Sequence, residues 1–223
     1  MKPDLVVMDM DDTLMTSENR VSDKTKAYLL LLQKNGVNDL RLEMIHYICD
    51  NPETPLKVKP EYQTLINKNV VVAENGELIS IYPISLKATN KKVYTNQNTS
   101  PVFAMCAIDA IGVHYTIHSN ITIESEDELM HTPIHLEMKD GHIINRNEHD
   151  IFVLYKDVLK KENCNVDCCP YIHFFTSEQN ALEYLKQVQY TGPYQILNLD
   201  EANETAKALF RYQPVECGRC CQS

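Results

Sequence analysis

The spacing of apolar and polar residues divides the chain into short elements of alternating type. Residues 4–9, DLVVMD, form a compact apolar run that predicts a buried strand. SDKTKAYLLLLQKNG follows as a helix, with Ser22 placed to cap its start and Gly36 to stop it. Residues 40–49, LRLEMIHYIC, again carry apolar side chains at helical spacing. NPETPLKVKP breaks that pattern with three prolines, and PEYQTLINKN suggests a further short helix. VVVAENGELISIYPIS then reads as a hairpin, two β-rich runs around the Asn75-Gly76 turn signal. Helix, helix, hairpin is the order of a winged-helix unit, which places one at about 39–88.

The second half alternates more strictly. KVYTNQNTSPVFAMCAIDAIGV gives a strand-like piece and then a helix start, and HYTIHSNITIES, PIHLEMKDGHII and DIFVLY read as strands, with a hairpin turn at Asp140-Gly141. YIHFFTS is another strand, and Ser177 can cap the helix EQNALEYLKQV. YQILNLD and EANETAKALFRY close the pattern as a strand and a helix. The expected fold class is α+β: a winged-helix-like N-terminal region followed by a mixed sheet-and-helix catalytic domain. The expected boundaries are 1–37, 38–100, 101–213 and a Cys-rich tail at 214–223, PVECGRCCQS, which is too polar to pack.

Composition narrows the function. At 223 residues, 43% hydrophobic and 23% charged, the chain can bury a sizeable core. A formal charge of −10 disfavours nucleic acid as a partner. No apolar run reaches the ~20 residues of a membrane helix. The acidic start, with Asp4, Asp9, Asp11 and Asp12, is unlike a secretory signal, so a cytoplasmic location is expected. In that reducing setting the eight cysteines are expected to be thiols, ligands or catalysts. Cys49 reads as a small buried hydrophobe; Cys164, Cys168 and Cys169 cluster, as do Cys217, Cys220 and Cys221, and clustered thiols favour soft metals.

Two stretches carry chemistry. In FAMCAIDAIG, Cys106 and Asp109 are three apart, so on a helix they share a face. A carboxylate there can take a thiol proton and return it, and apolar Phe103, Met105, Ile108 and Ile111 would raise its proton affinity. The plain alternative is a first-turn aspartate beside a buried cysteine. In VDCCPYIHFF, the adjacent Cys168 and Cys169 cannot easily both face one site; one is expected to be the functional sulfur and the other a neighbour or spare ligand. The pairs His114/His118 and His131/His135 fall on expected strands, about 13 Å apart, and are read as surface or half-buried residues. Lys57, Lys59, Lys68, Lys87, Lys91 and Lys92 make a mild basic patch. The tail thiols Cys217, Cys220 and Cys221 could bind Hg(II) or Zn(II), or form a loose end.

YPIS, VFAMCAIDAIGV, CCPYIHFFTS with its helix, and LNLDEANETAKALF together resemble the alkylmercury lyases (organomercurial lyases) over about residues 76–212. The winged-helix-like region extends the resemblance back to about residue 40. The resemblance implies cleavage of a carbon–mercury bond by protonation, with Cys106 and Cys168 on mercury and Asp109 moving the proton; Cys169 is a further metal ligand. It also implies an organomercurial substrate, a hydrocarbon and bound Hg(II) as products, no cofactor, external thiols for turnover, and a mercuric reductase or other thiol as acceptor of Hg(II). The N-terminal region would then be a scaffold over the site. One family cysteine downstream of the Cys-x-x-Asp motif is missing; IESEDELM, with Asp127, stands near its place. Two other readings stay open: a non-catalytic soft-metal trafficking protein, and a metal-responsive winged-helix regulator.

LVVMDMDDTLMTSENRVSDKTKAYLLLLQKNGV resembles a different family, the haloacid dehalogenase-type phosphatases. That resemblance implies Asp9 as nucleophile, Asp11 as general acid and Mg²⁺ nearby, with Asp12 where glycine is usual. The later strands that would complete such a site do not follow, so 1–37 is expected to be a truncated fragment.

Overall fold

A computed structural model describes residues 37–67, 69–95, 100–156 and 168–211. The expected strand at 4–9, the helix from Ser22 to Gly36, the phosphatase-like Asp9, Asp11 and Asp12, Cys164, and the tail cysteines Cys217, Cys220 and Cys221 lie outside these residues.

The described chain is α+β. Helix α1, Val37–Asp50, turns Met44, Ile45, Ile48 and Cys49 inward, the i, i+1, i+4, i+5 face of one helical side. A single 3-10 turn at Pro60–Tyr62 leads into α2, Gln63–Asn67. Strands β1 (Val71–Glu74) and β2 (Glu77–Ile81) form the expected hairpin; Asn75 and Gly76 both take positive φ, +51° and +83°, as a two-residue hairpin turn requires. The helix–helix–hairpin order is therefore present. Its hairpin is also the edge of a larger sheet, because β2 pairs with β3 (Ile84–Ser85) and β3 with β5 (Val102–Ala104).

That sheet has eight strands in the order β1-β2-β3-β5-β4-β6-β7-β8, every pair antiparallel. The remaining members are β4 (Lys92–Thr95), β6 (Ile121–Glu126), β7 (Pro133–Lys139) and β8 (His142–Asn145). In β7 the buried residues Ile134, Leu136 and Met138 alternate with less buried ones, so one face looks into the core. A second sheet, β10-β9-β11, joins β9 (Phe152–Lys156), β10 (His173–Phe175) and β11 (Tyr194–Asn198). Helix α4, Glu178–Gln187, starts at Ser177, whose hydroxyl accepts the Asn180 amide as expected of a cap. Helix α5, Leu199–Phe210, opens with a reciprocal capping box between Asn198 and Glu201.

Helix α3, Ala107–Ile117, is the central element, with every residue from Ala107 to Thr116 buried. It packs on α5, α1 and the large sheet. This corrects the strand expected at 114–125: the helix runs on to Ile117, His118 ends it in the left-handed conformation at φ +51°, and β6 begins only at Ile121. A helix buried on all sides has no polar face, so its sequence shows no 3.6-residue period, and Val-His-Tyr-Thr-Ile imitates strand alternation. The helix also starts later than FAMCAIDAIG suggested, since Phe103 belongs to β5 and Met105 precedes the first turn.

Gly112 lets α5 come close: a β-carbon there would overlap the Phe210 ring. Gly112→Ala is expected to lower Tm. Overpacking costs about 1–3 kcal/mol, more than the ~1 kcal/mol that alanine gains in helix propensity. Thermal melts of Gly112→Ala and of Gly112→Ala with Phe210→Leu check this; the second change should recover the loss. An unchanged Tm in the single variant would show that the ring swings aside freely.

Candidate active site

The junction of β5 and α3 places the first two groups. Cys106 has extended backbone, φ −146° and ψ 177°, and acts as the N-cap of α3. Its sulfur accepts the Asp109 backbone N–H at 3.3 Å, the bond a serine or aspartate cap would make. Cys106 and Asp109 therefore come together as the cap and third residue of one helix, rather than as two residues inside it.

The third group arrives on a separate turn. Cys169-Pro170-Tyr171 forms a 3-10 turn leading into β10, with Tyr171 N–H donating to Cys168 O at 2.9 Å. The Ala107 N–H donates to Ile172 O at 3.0 Å and ties this turn to the start of α3. One ligand atom each from Cys106, Asp109 and Cys169 lies within 4.8 Å of the others, and all three residues are buried. The Cys169 thiol donates to Asp109 Oδ2 at 3.6 Å. A hydrogen bond also links the two thiols.

The partner from the Cys-Cys pair is thus the second cysteine. The sequence led to the expectation of Cys168 beside Cys106 and Asp109; it is buried, but its sulfur is not part of the group. Adjacent residues in a tight turn project in different directions, and the turn gives Cys169 the one toward Cys106 and Asp109. A sequence signal existed: Pro170 favours the first turn of a short helix that begins at Cys169.

Four residues that sequence reasoning did not single out as site members surround the group. Tyr82 hydroxyl lies 3.6 Å from Cys169 Sγ. Arg41 of α1 donates through Nε to Tyr82 O at 2.8 Å and through Nη1 to Asn38 Oδ1 at 2.9 Å. Lys91, read from sequence as part of a basic patch, is only 3% exposed. Its Nζ donates to Asn90 Oδ1 at 2.7 Å, lies 3.1 Å from His173 Nδ1, and pairs with Glu128 at 3.8 Å. The His173 ring sits 2.9 Å from Glu128 Oε2 through Nδ1, and its Nε2 donates to Pro170 O at 2.7 Å.

The electrostatics follow from burial. Loss of water raises the Asp109 carboxyl to about 7, against the opposing pull of hydrogen bonds from both thiols and of the Arg41 and Lys91 charges. Burial likewise pushes the Cys106 thiol well up, helped by its bond to Cys169 and by the Asp109 charge, while the Asp109 N–H pulls it back. Arg41 is lowered by burial to about 10 and so keeps its charge at neutral pH. Glu128 is held at about 2: burial alone would raise it, but the His173 bond and charge, the Asn90 amide and Lys91 outweigh that.

Asp127, in the IESEDELM stretch, is fully buried and works as a hydrogen-bond hub. Oδ1 accepts from Leu129 N and Met130 N at 2.9 Å each, and Oδ2 from Thr176 N and Oγ1 at 2.7 Å and Asn180 Nδ2 at 2.8 Å. The other sequence candidates fall elsewhere. His114 and His118 flank a polar cavity of about 610 Å³ at the far end of α3. Gly141 N–H donates to His114 Nε2, and the other ring nitrogen lies 2.7 Å from Ser119 O, so both positions are occupied. His131 is at a turn and His135 within β7. Cys49 is buried in the core, and its thiol is pushed up to about 12 by burial and by Asp50. No helix among the described residues is long and apolar enough to cross a membrane.

The chain superposes on a solved structure described as the mercury-bound form of MerB2 with a TM-score of 0.65, over 84% of this chain and 97% of that one, at 16% identity. At that identity the likeness is one of fold. No curated protein matches the chain. The family model for alkylmercury lyase matches residues 84–211, a span that holds Cys106, Asp109 and Cys169 as well as Lys91. With more than half of its length matched, the chain belongs to the alkylmercury lyase family.

Proposed function

We propose that this protein cleaves the carbon–mercury bond of organomercurials by protonolysis, with Cys106 and Cys169 binding mercury and Asp109 carrying the proton. The observation that carries this reading is the buried thiol–carboxyl–thiol group, its ligand atoms within 4.8 Å of one another.

The chemistry balances with these groups alone. An organomercury thiolate, RHg–SR′, exchanges with the Cys106 thiol, giving RHg–S(Cys106) and free HSR′. The Cys169 proton passes to ionised Asp109 along the contact already present, and its sulfur adds to mercury. Two soft thiolates push electron density onto the metal and weaken the Hg–C bond. Asp109 then gives its proton to the carbon, RH leaves, and Hg(SCys)₂ remains beside ionised Asp109. A carboxyl near 7 can both take and return a proton at neutral pH. Burial of all three groups keeps water from competing with the carbon for that proton. External thiols would then draw Hg(II) off the two cysteines by ligand exchange. A mercuric reductase or small thiol is a suitable acceptor, and a cytoplasmic location would supply it.

The test is hydrocarbon release. Wild-type protein incubated with phenylmercury acetate and excess cysteine should release benzene into the headspace, and Cys106→Ser should lose that activity by at least about a thousandfold. Mercury bound without benzene would instead support the metal-trafficking reading.

The acid has a signature in stability as well. Asp109 has a raised folded-state value, so the stability tied to it is fully present below the unfolded value near 4 and is lost as pH rises toward 7. Asp109→Asn removes that loss. Its Tm advantage over wild type should therefore grow between pH 4 and 7 and level off above. Thermal melts across this range check it, and a constant difference would show that Asp109 is not the buried titrating acid.

A further inference from the structure

The lyase reading fixes how charge moves in the pocket, and the further inference rests on it. One negative charge is present throughout: first on Asp109, then on the RHg(SCys)₂ unit, then on Asp109 again. A charge that stays in a buried space needs a fixed partner, because water cannot follow it.

Two buried cations are close enough to matter. Arg41 acts on Asp109 and is engaged by Tyr82 O and Asn38. Burial lowers the Lys91 ammonium, the charges of Glu128, Cys106 and Cys169 pull it back up, and Lys91 in turn lowers Asp109. Its backbone explains the placement: Ala104 N–H donates to Lys91 O at 2.9 Å, two residues before Cys106, while His173, 3.1 Å from Nζ, holds Pro170 beside Cys169. Glu128 pairs with the ammonium at 3.8 Å, and the Glu126 charge acts on it as well. A buried lysine is unfavourable by itself, and this one is retained within a complete polar network. We propose that Lys91 is the internal counter-ion of the negative charge that moves between Asp109 and the mercury-bound sulfurs, held in place by Glu128 and His173. Lys91 acts through its field and does not exchange a proton with the substrate.

The test separates this role from turnover and from folding. In an Asp109→Ala background the Hg–C bond is not cleaved, and phenylmercury chloride can be titrated against glutathione to read retention of the anionic two-sulfur complex. Adding Lys91→Met with Glu128→Gln keeps the network neutral as a unit. That change should let glutathione strip phenylmercury at a concentration lower by about tenfold or more, whereas Lys91→Arg should stay within about threefold. Should the paired change fail to fold, Lys91→Gln, which removes the charge but keeps an amide donor toward Asn90 Oδ1, is expected to show the same loss. A folded variant without the cation that holds phenylmercury as tightly as its parent would overturn the proposal. Absence of benzene from wild type would sink the lyase reading while this binding comparison still stood.

Discussion

Cys169→Ser is expected to abolish benzene release, with a loss of at least about a thousandfold, while Cys168→Ala keeps wild-type activity within a few fold. The two residues are adjacent, both are buried, and neither is in a disulfide. Only Cys169 has its sulfur in the group with Cys106 and Asp109, with Asp109 Oδ2 at 3.6 Å and the Tyr82 hydroxyl at 3.6 Å. A serine there keeps the volume and a hydrogen bond to Asp109, but a hydroxyl is a hard, weakly acidic ligand that neither binds Hg(II) well nor donates density to it. Headspace benzene measured for both variants, alongside their melting temperatures, decides the matter. Equal losses in both, or a loss confined to Cys168→Ala, would mean that the turn presents the other sulfur when substrate binds.

Asp127→Ala is expected to be the most destabilising single change outside the active group, by about 3–5 kcal/mol. Removing the carboxylate strands two backbone N–H groups and the Thr176 hydroxyl and Asn180 amide in addition to the Thr176 N–H. Each buried donor left unpaired costs about 1–3 kcal/mol, with relaxation and entering water recovering part of the sum. Burial alone would raise the Asp127 carboxyl, yet the bonds from Thr176, Asn180 and Met130 hold it below the ordinary aspartate range. A depressed value contributes stability above the unfolded value near 4 and loses it as pH falls through the folded one. The gap between wild type and Asp127→Ala, read from denaturant melts, should therefore be full at pH 7 and shrink below pH 4. The damage should also reach the site, because Asp127 orders the turn that presents Glu128 to Lys91 and His173. A gap under 1 kcal/mol at pH 7 would show that water replaces the hub.

Much of the fold is legible in the amino-acid sequence. The Asn75-Gly76 and Asp140-Gly141 hairpins, the Ser177 cap and the final helix all follow from local chemistry: positive-φ turn residues, a side-chain oxygen before an amphipathic run, apolar residues at period 3.6. The Cys106–Asp109 pairing is visible for a related reason, since any N-cap meets the residue three positions on. What periodicity does not deliver is the second half of the central helix α3, from His114 on, whose buried surface has no polar face, and the choice between Cys168 and Cys169, which depends on the direction of a single turn. Lys91 misleads because a lysine between polar neighbours ordinarily faces water; only the tertiary placement of Glu128 and His173 reveals that it is buried. Asp127 takes its task from Thr176 and Asn180, far away in the sequence, so only the structure reveals it.

The central claim is that one acid and two sulfurs in a buried pocket protonate carbon on mercury. Its most direct measurement is the isotopic content of the hydrocarbon formed from phenylmercury in D₂O with excess thiol. The account predicts one benzene per phenylmercury consumed, each bearing a single deuterium, from wild-type protein and from Cys168→Ala but not from Cys169→Ser. Phenylmercury held on the protein with no benzene released, or benzene formed without deuterium, would contradict it.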